Sequence, residues 1–509
     1  MSNGELINKY RKLQNGSDIR GVALDGVAGE KPNLTEREAA LLSAGYIFWL
    51  SGKTGLPPEK LTVAVGRDPR LSGEELKTAA SMTMEGLGVK VLDAGLASTP
   101  AMFMSTIFPR FNCDGAMMIT ASHLPWNRNG FKYFDKKGGL DKGDITAILD
   151  WASANHDSIL LKGGSGTPCD LMVQYGGHLR SLIIQGANMG DFPLAGLKIV
   201  VDAGNGAGGF YAADVLSPLG ADVSASQFLE PDGNFPNHMP NPEDQQAMES
   251  ISKRVVDSHA DFGIIFDTDV DRVSAVDHLG REISRNGIVA MAAALVAENY
   301  PGTTVVTDSI TSDQLHVFME DKLGLKHLRF KRGYKNVINE AVRLNENGLD
   351  SQLAIETSGH AAFKENYFLD DGAYLATKIV IKAAQLHQAG KKLASIIEDL
   401  EEPLEATEVR LPILCDDFAP YGDRLLEDLK LWVEENKSRG VSLVIPNYEG
   451  VRVRFDKENG DGWFLIRKSL HDPILPLNIE SNIEGGIRTI ADRLRPFLSN
   501  YKCVDISRL

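Results

Sequence analysis

Three apolar runs along the chain end in polar turns and pass into helix-like segments: LTVAVGRDPRLSGEEL from Leu61, LKIVVDAGNGAGGFYAADVL from Leu197 and GTTVVTDSITSDQLHVFM from Gly302. Each reads as a strand, a turn and a helix. Roughly fifty to sixty-five residues after each start comes a second short apolar run opening into a distinctive loop, a recurrence that predicts three related α/β units. These second runs are GAMMITASH, DFGIIFDTDVDR and SQLAIETSGH. From about Leu404 the pattern changes. YGDRLLEDLKLWVEENKSRG has helical spacing, and GVRVRFDKENGDGWFLIRKS alternates like two strands around a Gly-Asp-Gly turn, which predicts a smaller α+β domain. Proline- or glycine-bearing joints in GANMGDFPLAG, ENYPGT and DLEEPLE place the expected boundaries near 1–190, 191–300, 301–404 and 405–509.

Composition narrows the function. A chain of 509 residues that is 43% hydrophobic can build several cores. Its formal net charge of −16 argues against a nucleic-acid or membrane-surface partner, which calls for a basic face. Cys113, Cys169, Cys415 and Cys503 are far apart without metal-ligand spacing, so they read as free thiols in a reducing compartment. The first residues lack the apolar core of a signal peptide, and no run has the length of a membrane span, so a cytoplasmic protein is expected.

The loops carry the chemistry. In GAMMITASHLPWNRNG, Ser122 and His123 stand where the chain leaves a buried strand. Side chains of sequence neighbours diverge on an extended backbone, so this pair does not read as a serine–histidine nucleophile. In GIIFDTDVDR, Asp267, Asp269 and Asp271 alternate, and an extended backbone would send all three carboxylates to one side. Such a group repels itself unless a cation sits within it. Oxygen-only ligands favour a hard divalent ion, Mg²⁺ first. The spacing does not fit an EF-hand, since Arg272 stands where the turn glycine belongs. A strand followed by D-x-D also resembles the haloacid-dehalogenase-type phosphotransferases, in which Asp267 would form an aspartyl phosphate; the third carboxylate favours metal holding. GNGAGG, Gly204 to Gly209, matches a dinucleotide fingerprint but reads better as a tight structural turn.

Taken in order, T-A-S-H-x-P, D-x-D-x-D-R, E-x-S-G-H and R-x-S resemble the α-D-phosphohexomutases, the phosphoglucomutase/phosphomannomutase superfamily, over nearly the whole chain. Further matches are Ser17-Asp-Ile-Arg-Gly21, Val65 to Gly73, Asn129-Gly-Phe-Lys132, Gly333-Tyr-Lys335 and Asp370-Asp-Gly372. The resemblance implies three related mixed α/β domains plus a smaller α+β C-terminal domain around a central cleft. It implies that Ser122 is carried as phosphoserine and joins Asp267, Asp269 and Asp271 in holding Mg²⁺. It also implies that Arg20, Lys132, Arg272 and Lys335 surround the reacting phosphate, that His123 binds substrate, and that Lys132 and His360 move the proton of a sugar hydroxyl. Glu356 and Ser358 match the loop that grips sugar hydroxyls; Arg467 and Ser469 match the loop that holds the other phosphate.

The expected activity is interconversion of hexose 1-phosphate and hexose 6-phosphate, of glucose or mannose, through a hexose 1,6-bisphosphate. A bisphosphate synthase using the same serine and a non-catalytic phosphosugar sensor are the alternatives. Departures from the family pattern are Leu124, Thr268, Val270 and Leu470-His471-Asp472, the last placing His471 where a threonine is usual. The partner expected is a small phosphosugar; oligomeric state is open.

Overall fold

The computed structural model describes residues 3–158, 163–469 and 472–509. His471 lies outside the described residues. The chain forms two compact units, Met1–Val296 with Gln352–Glu398, and Ala297–Ser351 with Asp399–Leu509.

In the first unit, the run from Leu61 becomes the strand Thr62–Arg67, followed by the helix Gly73–Gly86. The strand pairs in parallel with Lys90–Leu96 on one side and Gly115–Ile119 on the other. Gly115–Ile119 then pairs antiparallel with Arg128–Asp135, and that strand with Asp18–Val22. Among the described residues this makes an eight-stranded mixed sheet. Its central strands are near-continuously buried, which is why they read as apolar runs rather than as alternation. A second sheet pairs Ile199–Asp202 in parallel with Phe262–Phe266, and the latter antiparallel with Val273–Asp277. A third set runs antiparallel through Ser351–Ile355, Ala361–Phe363 and Leu369–Asp370. Each of the three distinctive loops therefore leaves the end of a fully or largely buried strand. In α/β sheets the carboxyl ends of strands are where ligands bind.

GNGAGG is a turn whose glycine positions have no room for side chains. A Cβ on Gly206 would lie 2.8 Å from Thr268 O, and one on Gly209 would lie 2.2 Å from Leu229 O. Ala207 N donates to Thr268 O at 2.8 Å, so Gly206 brings the turn hard against the carboxylate loop, while Gly209 packs on the backbone of Leu229.

In the second unit, Thr304–Thr307 pairs in parallel with Lys326–Arg329. The C-terminal sheet runs Glu405–Pro412, Ile474–Ser481, Gly462–Ile466, Val451–Phe455, Val441–Leu443, antiparallel throughout. The helices Phe418–Glu435 and Gly486–Leu498 cover it, Leu425, Leu429, Ile490 and Leu494 entering its core. The two arginines of VRVRF occupy alternate positions of one strand yet differ in exposure. Arg454 is exposed, but Arg452 is 2% exposed, stacked 3.5 Å from the centroid of Trp463 and bonded to Asp313 and to the Ser309 and Thr311 carbonyls. The stacked planar face and the bonded Nη groups let this arginine be buried, although its Nε has no acceptor among the described residues. Among the described residues no helix is long and apolar enough to cross a membrane.

Candidate active site

The carboxylate loop holds its three aspartates together for a reason other than the one expected. The strand stops at Phe266 and residues 267–271 form a turn, with Val270 at φ +70°. Chain reversal, not an extended backbone, brings one oxygen of each carboxylate within 4.8 Å of the others, all three buried.

Ser122 comes to this group from the first sheet. Its Oγ donates to Asp267 Oδ2 at 2.7 Å. Lys132, on the neighbouring strand Arg128–Asp135, reaches Asp269 Oδ2 at 3.1 Å and donates to Asp271 Oδ2. Thr99 Oγ1 donates to Asp269 Oδ2 at 2.5 Å, and Thr99 N to the Asp269 carbonyl at 2.8 Å. Arg20 Nη2 pairs with Asp18 at 2.8 Å while Nη1 donates to Thr120 O at 2.6 Å. Arg20 faces Gly130 across the strand pair, where a Cβ would lie 2.0 Å from Ile19 O, so the Asn-Gly-Phe-Lys segment needs its glycine.

Arg272 N donates to Asp267 Oδ1 at 3.3 Å, and its Nε to His360 Nε2 at 2.8 Å. His360 Nδ1 lies 2.5 Å from Asp370 Oδ2, so both ring nitrogens are engaged. Gly359, at φ +92° and with a would-be Cβ 2.5 Å from Val273 O, lets the Ser-Gly-His loop pass this close. Glu356 and Ser358 are buried on the same loop, Glu356 N bonded to His360 O at 2.9 Å. His123 stands 3.4 Å from Ser122 Oγ through Nδ1. That contact between sequence neighbours exists because Ser122 is itself in the left-handed region, φ +48°, off the extended geometry that would part them.

Charge is unevenly distributed among the carboxylates. Burial, then Asp271 and Asp269, push Asp267 well above the carboxylate range. Burial also opposes ionisation of Asp271, but Lys132, His360 and Arg272 outweigh it and hold that group low. His360 is pushed down to about 4 by burial and then by Arg272, so it is neutral at ordinary pH.

A divalent ion fits this donor set. Among the described residues no donor reaches Asp269 Oδ1 or Asp271 Oδ1, although both atoms are buried. Buried acceptors left without a donor are costly and mark a position for a cation.

Comparison with known proteins decides the family. The phosphoglucomutase/phosphomannomutase alpha/beta/alpha domain I matches residues 11–156, domain II residues 181–280 and domain III residues 284–404. The chain belongs to the phosphoglucomutase/phosphomannomutase family. It is 30% identical to a phosphomannomutase/phosphoglucomutase of Pseudomonas putida, covering 89% of this chain and 91% of that one. It is 31% identical to a phosphoglucomutase/phosphomannomutase of Thermococcus kodakarensis, covering 84% and 88%. A solved family protein of Burkholderia thailandensis superposes with a TM-score of 0.77 at 25% identity, over 97% of this chain and 98% of that one. The enzyme is thus a phosphohexomutase, a phosphotransferase of carbohydrate metabolism.

The first unit of this phosphohexomutase brings together Arg20, Ser122, His123, Lys132, Asp267, Asp269, Asp271, Arg272 and His360. Glu356 and Ser358 belong to the same unit, and the second unit carries Lys335, Arg467 and Ser469. Lys335 is half-buried in the first turn of the helix Tyr334–Glu346. Arg467 N donates to Pro476 O at 3.1 Å, and its Nε is buried with no acceptor among the described residues. Ser469 Oγ accepts from Asp472 N at 3.2 Å. Sequence reasoning missed Thr99, Asp370 as the partner of His360, and Arg70. Asp370-Asp-Gly372 and the Val65–Gly73 motif were visible as family matches, but nothing in them discloses what they touch.

Proposed function

We propose that this phosphohexomutase interconverts hexose 1-phosphate and hexose 6-phosphate by passing a phosphoryl group between Ser122 and the sugar, with a hexose 1,6-bisphosphate between the two half-reactions. The observation that carries the reading is Ser122 Oγ, 2.7 Å from Asp267 inside a buried group of three carboxylates and three cationic side chains. The relatives' names join glucose and mannose phosphates, which supports either hexose as substrate.

Asp267, Asp269 and Asp271 would hold Mg²⁺, and the ion would supply charge neutralisation at the transferring phosphoryl group. The remaining work falls to the chain. In one half-reaction the bond from phosphorus to Ser122 Oγ breaks and a bond to a sugar hydroxyl oxygen forms. The hydroxyl loses a proton and Oγ gains one. Asp267 Oδ2 is the group placed on the serine side of that exchange, and Lys132 is assigned to the hydroxyl side. His360, with both nitrogens engaged, is assigned a positioning role: Asp370 orients the ring and the ring aims Arg272. Arg20 and Arg272 counter the charge spread over the phosphoryl oxygens. Lys335, Arg467 and Ser469 are assigned to binding a substrate phosphate, where arginine offers a planar fork of donors. Glu356 and Ser358 are assigned to sugar hydroxyls, and His123 to the phosphate.

The test is intact-mass measurement with product analysis. After incubation with glucose 1-phosphate or mannose 1-phosphate in Mg²⁺, one phosphoryl group should map to Ser122, and Ser122→Ala should remove it together with nearly all turnover. A label cleaved by neutral hydroxylamine would place the phosphoryl group on Asp267 and refute the serine mechanism. Stoichiometric release of bisphosphate in place of hexose 6-phosphate would convert the reading to a synthase.

A further inference from the structure

We infer that Arg70, whose hydrogen bonds go to backbone carbonyls and Asp68 and not to Ser122 Oγ, is the positioning residue that fixes Ser122 for phosphoryl transfer, an inference that rests on the reading of Ser122 as phosphoryl carrier. Arg70 is 1% exposed, on the turn between the strand Thr62–Arg67 and the helix Gly73–Gly86. A guanidinium has five N–H groups, and here each has an acceptor. Nε donates to Asp68 Oδ2 at 3.1 Å. Nη1 donates to Pro125 O at 2.7 Å and Arg128 O at 3.1 Å. Nη2 donates to Leu124 O at 2.7 Å and to the carbonyl of Ser122 itself. One side chain thus gathers four carbonyls of the 122–128 loop, a segment with little regular structure to hold it.

The other side of Ser122 is tied to the same residue. Ser122 N donates to Thr120 Oγ1 at 2.9 Å, and Thr120 Oγ1 to Asp68 Oδ2 at 2.7 Å. Asp68 also accepts from Arg70 N at 3.0 Å. The backbone on both sides of Ser122 is closed into one ring through Thr120, Asp68 and Arg70. The ring holds a serine at φ +48°, a conformation an L-residue with a side chain adopts only under constraint. Out of that conformation Oγ would leave the carboxylate group.

The clamp is also covered. The Phe235 ring stands 5.2 Å from the guanidinium, and at Gly233 a Cβ would lie 2.4 Å from Pro69 O. Water has little route to replace the lost donors, and lysine, a point charge with three donors, cannot span four carbonyls and a carboxylate.

The experiment compares wild type with Arg70→Lys and Arg70→Gln, reading kcat and KM for hexose 1-phosphate, backbone amide exchange and thermal unfolding. Misplacement of a reacting atom by about an ångström costs on the order of a hundredfold in rate. Arg70→Lys should therefore lower kcat, per folded molecule, about a hundredfold while KM moves by less than about threefold. Amides of residues 121–128 should exchange at least about tenfold faster, with Phe262–Phe266 unchanged. A kcat within about twofold of wild type in either variant would overturn the inference. So would faster exchange spread evenly through the unit with kcat per folded molecule retained, since that is a purely structural role. If the wild type itself fails to turn over hexose phosphates, the functional reading falls, and the exchange at 121–128 still decides whether Arg70 fixes the Ser122 loop.

Discussion

Lys132 is a buried cation set among buried carboxylates. Its ammonium is 5% exposed and touches two carboxylates that are 0% and 1% exposed, with Asp267 beside them. Lys132→Met keeps most of the stem and removes only the charge, so packing loss should stay below about 1.5 kcal/mol. The electrostatic loss is larger: removing one partner of a buried pair costs about 3–5 kcal/mol. Proton uptake limits it, because a carboxylate with an ordinary pKa near 3.9 can be neutralised at pH 7 for about 4 kcal/mol. The variant stripped of divalent ions should thus lose about 3–4 kcal/mol. Spread over a unit of roughly 340 residues with an unfolding entropy of about 2.1 cal/mol/K per residue, that lowers Tm by about 4–6 °C. Calorimetry in chelator at pH 7 reads it directly. Mg²⁺ should then recover more stability in Lys132→Met than in wild type, because the ion replaces the missing charge; at a hundredfold excess over Kd the gain is about 2.7 kcal/mol. A chelated variant melting within about 1 °C of wild type would refute the charge balance argued for the site.

Arg467→Ala should raise KM for hexose 1-phosphate about ten- to a hundredfold, the range of one charge-assisted hydrogen bond, and lower kcat as well; steady-state constants equal to wild type would remove Arg467 from phosphate binding. Glu480 supplies a pH test in the second unit. Burial pushes it up to about 7 despite Arg452 and a 3.0 Å bond from Trp463 Nε1. The folded state then binds more protons than the unfolded state between about pH 4.5 and 7, so this group's stability is complete below that window and lost as pH rises through it. Glu480→Gln should flatten that decline and stabilise the protein at pH 8 by about 1–3 kcal/mol in urea unfolding. An unchanged pH slope would show that Glu480 is ionised throughout.

Much of the fold was legible because buried parallel strands announce themselves as unbroken apolar runs. Val63–Val65, Met117–Ile119 and Ile264–Phe266 are all fully buried. The loops that follow were legible as chemistry because serine, histidine and aspartate at strand ends have few structural reasons to recur. What could not be read is contact across distance. Lys132 meets Asp271 from 139 residues away, and Thr99 meets Asp269 from 170. Neither pairing leaves a local pattern. Arg452 is the converse case: alternation groups residues by parity, and only the tertiary partners Trp463 and Asp313 show why Arg452 is interior.

Alternation misassigned the cause of the aspartate convergence, and the residue that explains it is Val270. A β-branched side chain at φ +70° is an outlier that costs on the order of 1–3 kcal/mol, and it persists only where the surroundings over-determine it. Here they do: the side chain is fully buried, and Gly372 N donates to Val270 O at 3.1 Å, at a point where a Cβ on Gly372 would lie 2.9 Å from that carbonyl. Ser122 is a second strained residue, held by Arg70 and Thr120. The two loops that supply the serine oxygen and its carboxylate partner therefore each store strain at the functional residue or next to it, and each is held by groups that take no part in the chemistry. Such an arrangement keeps Oγ and Oδ2 at 2.7 Å without relying on their mutual attraction. In the proposed mechanism that independence matters, because a phosphorylated Oγ would have no proton to donate and the attraction would vanish.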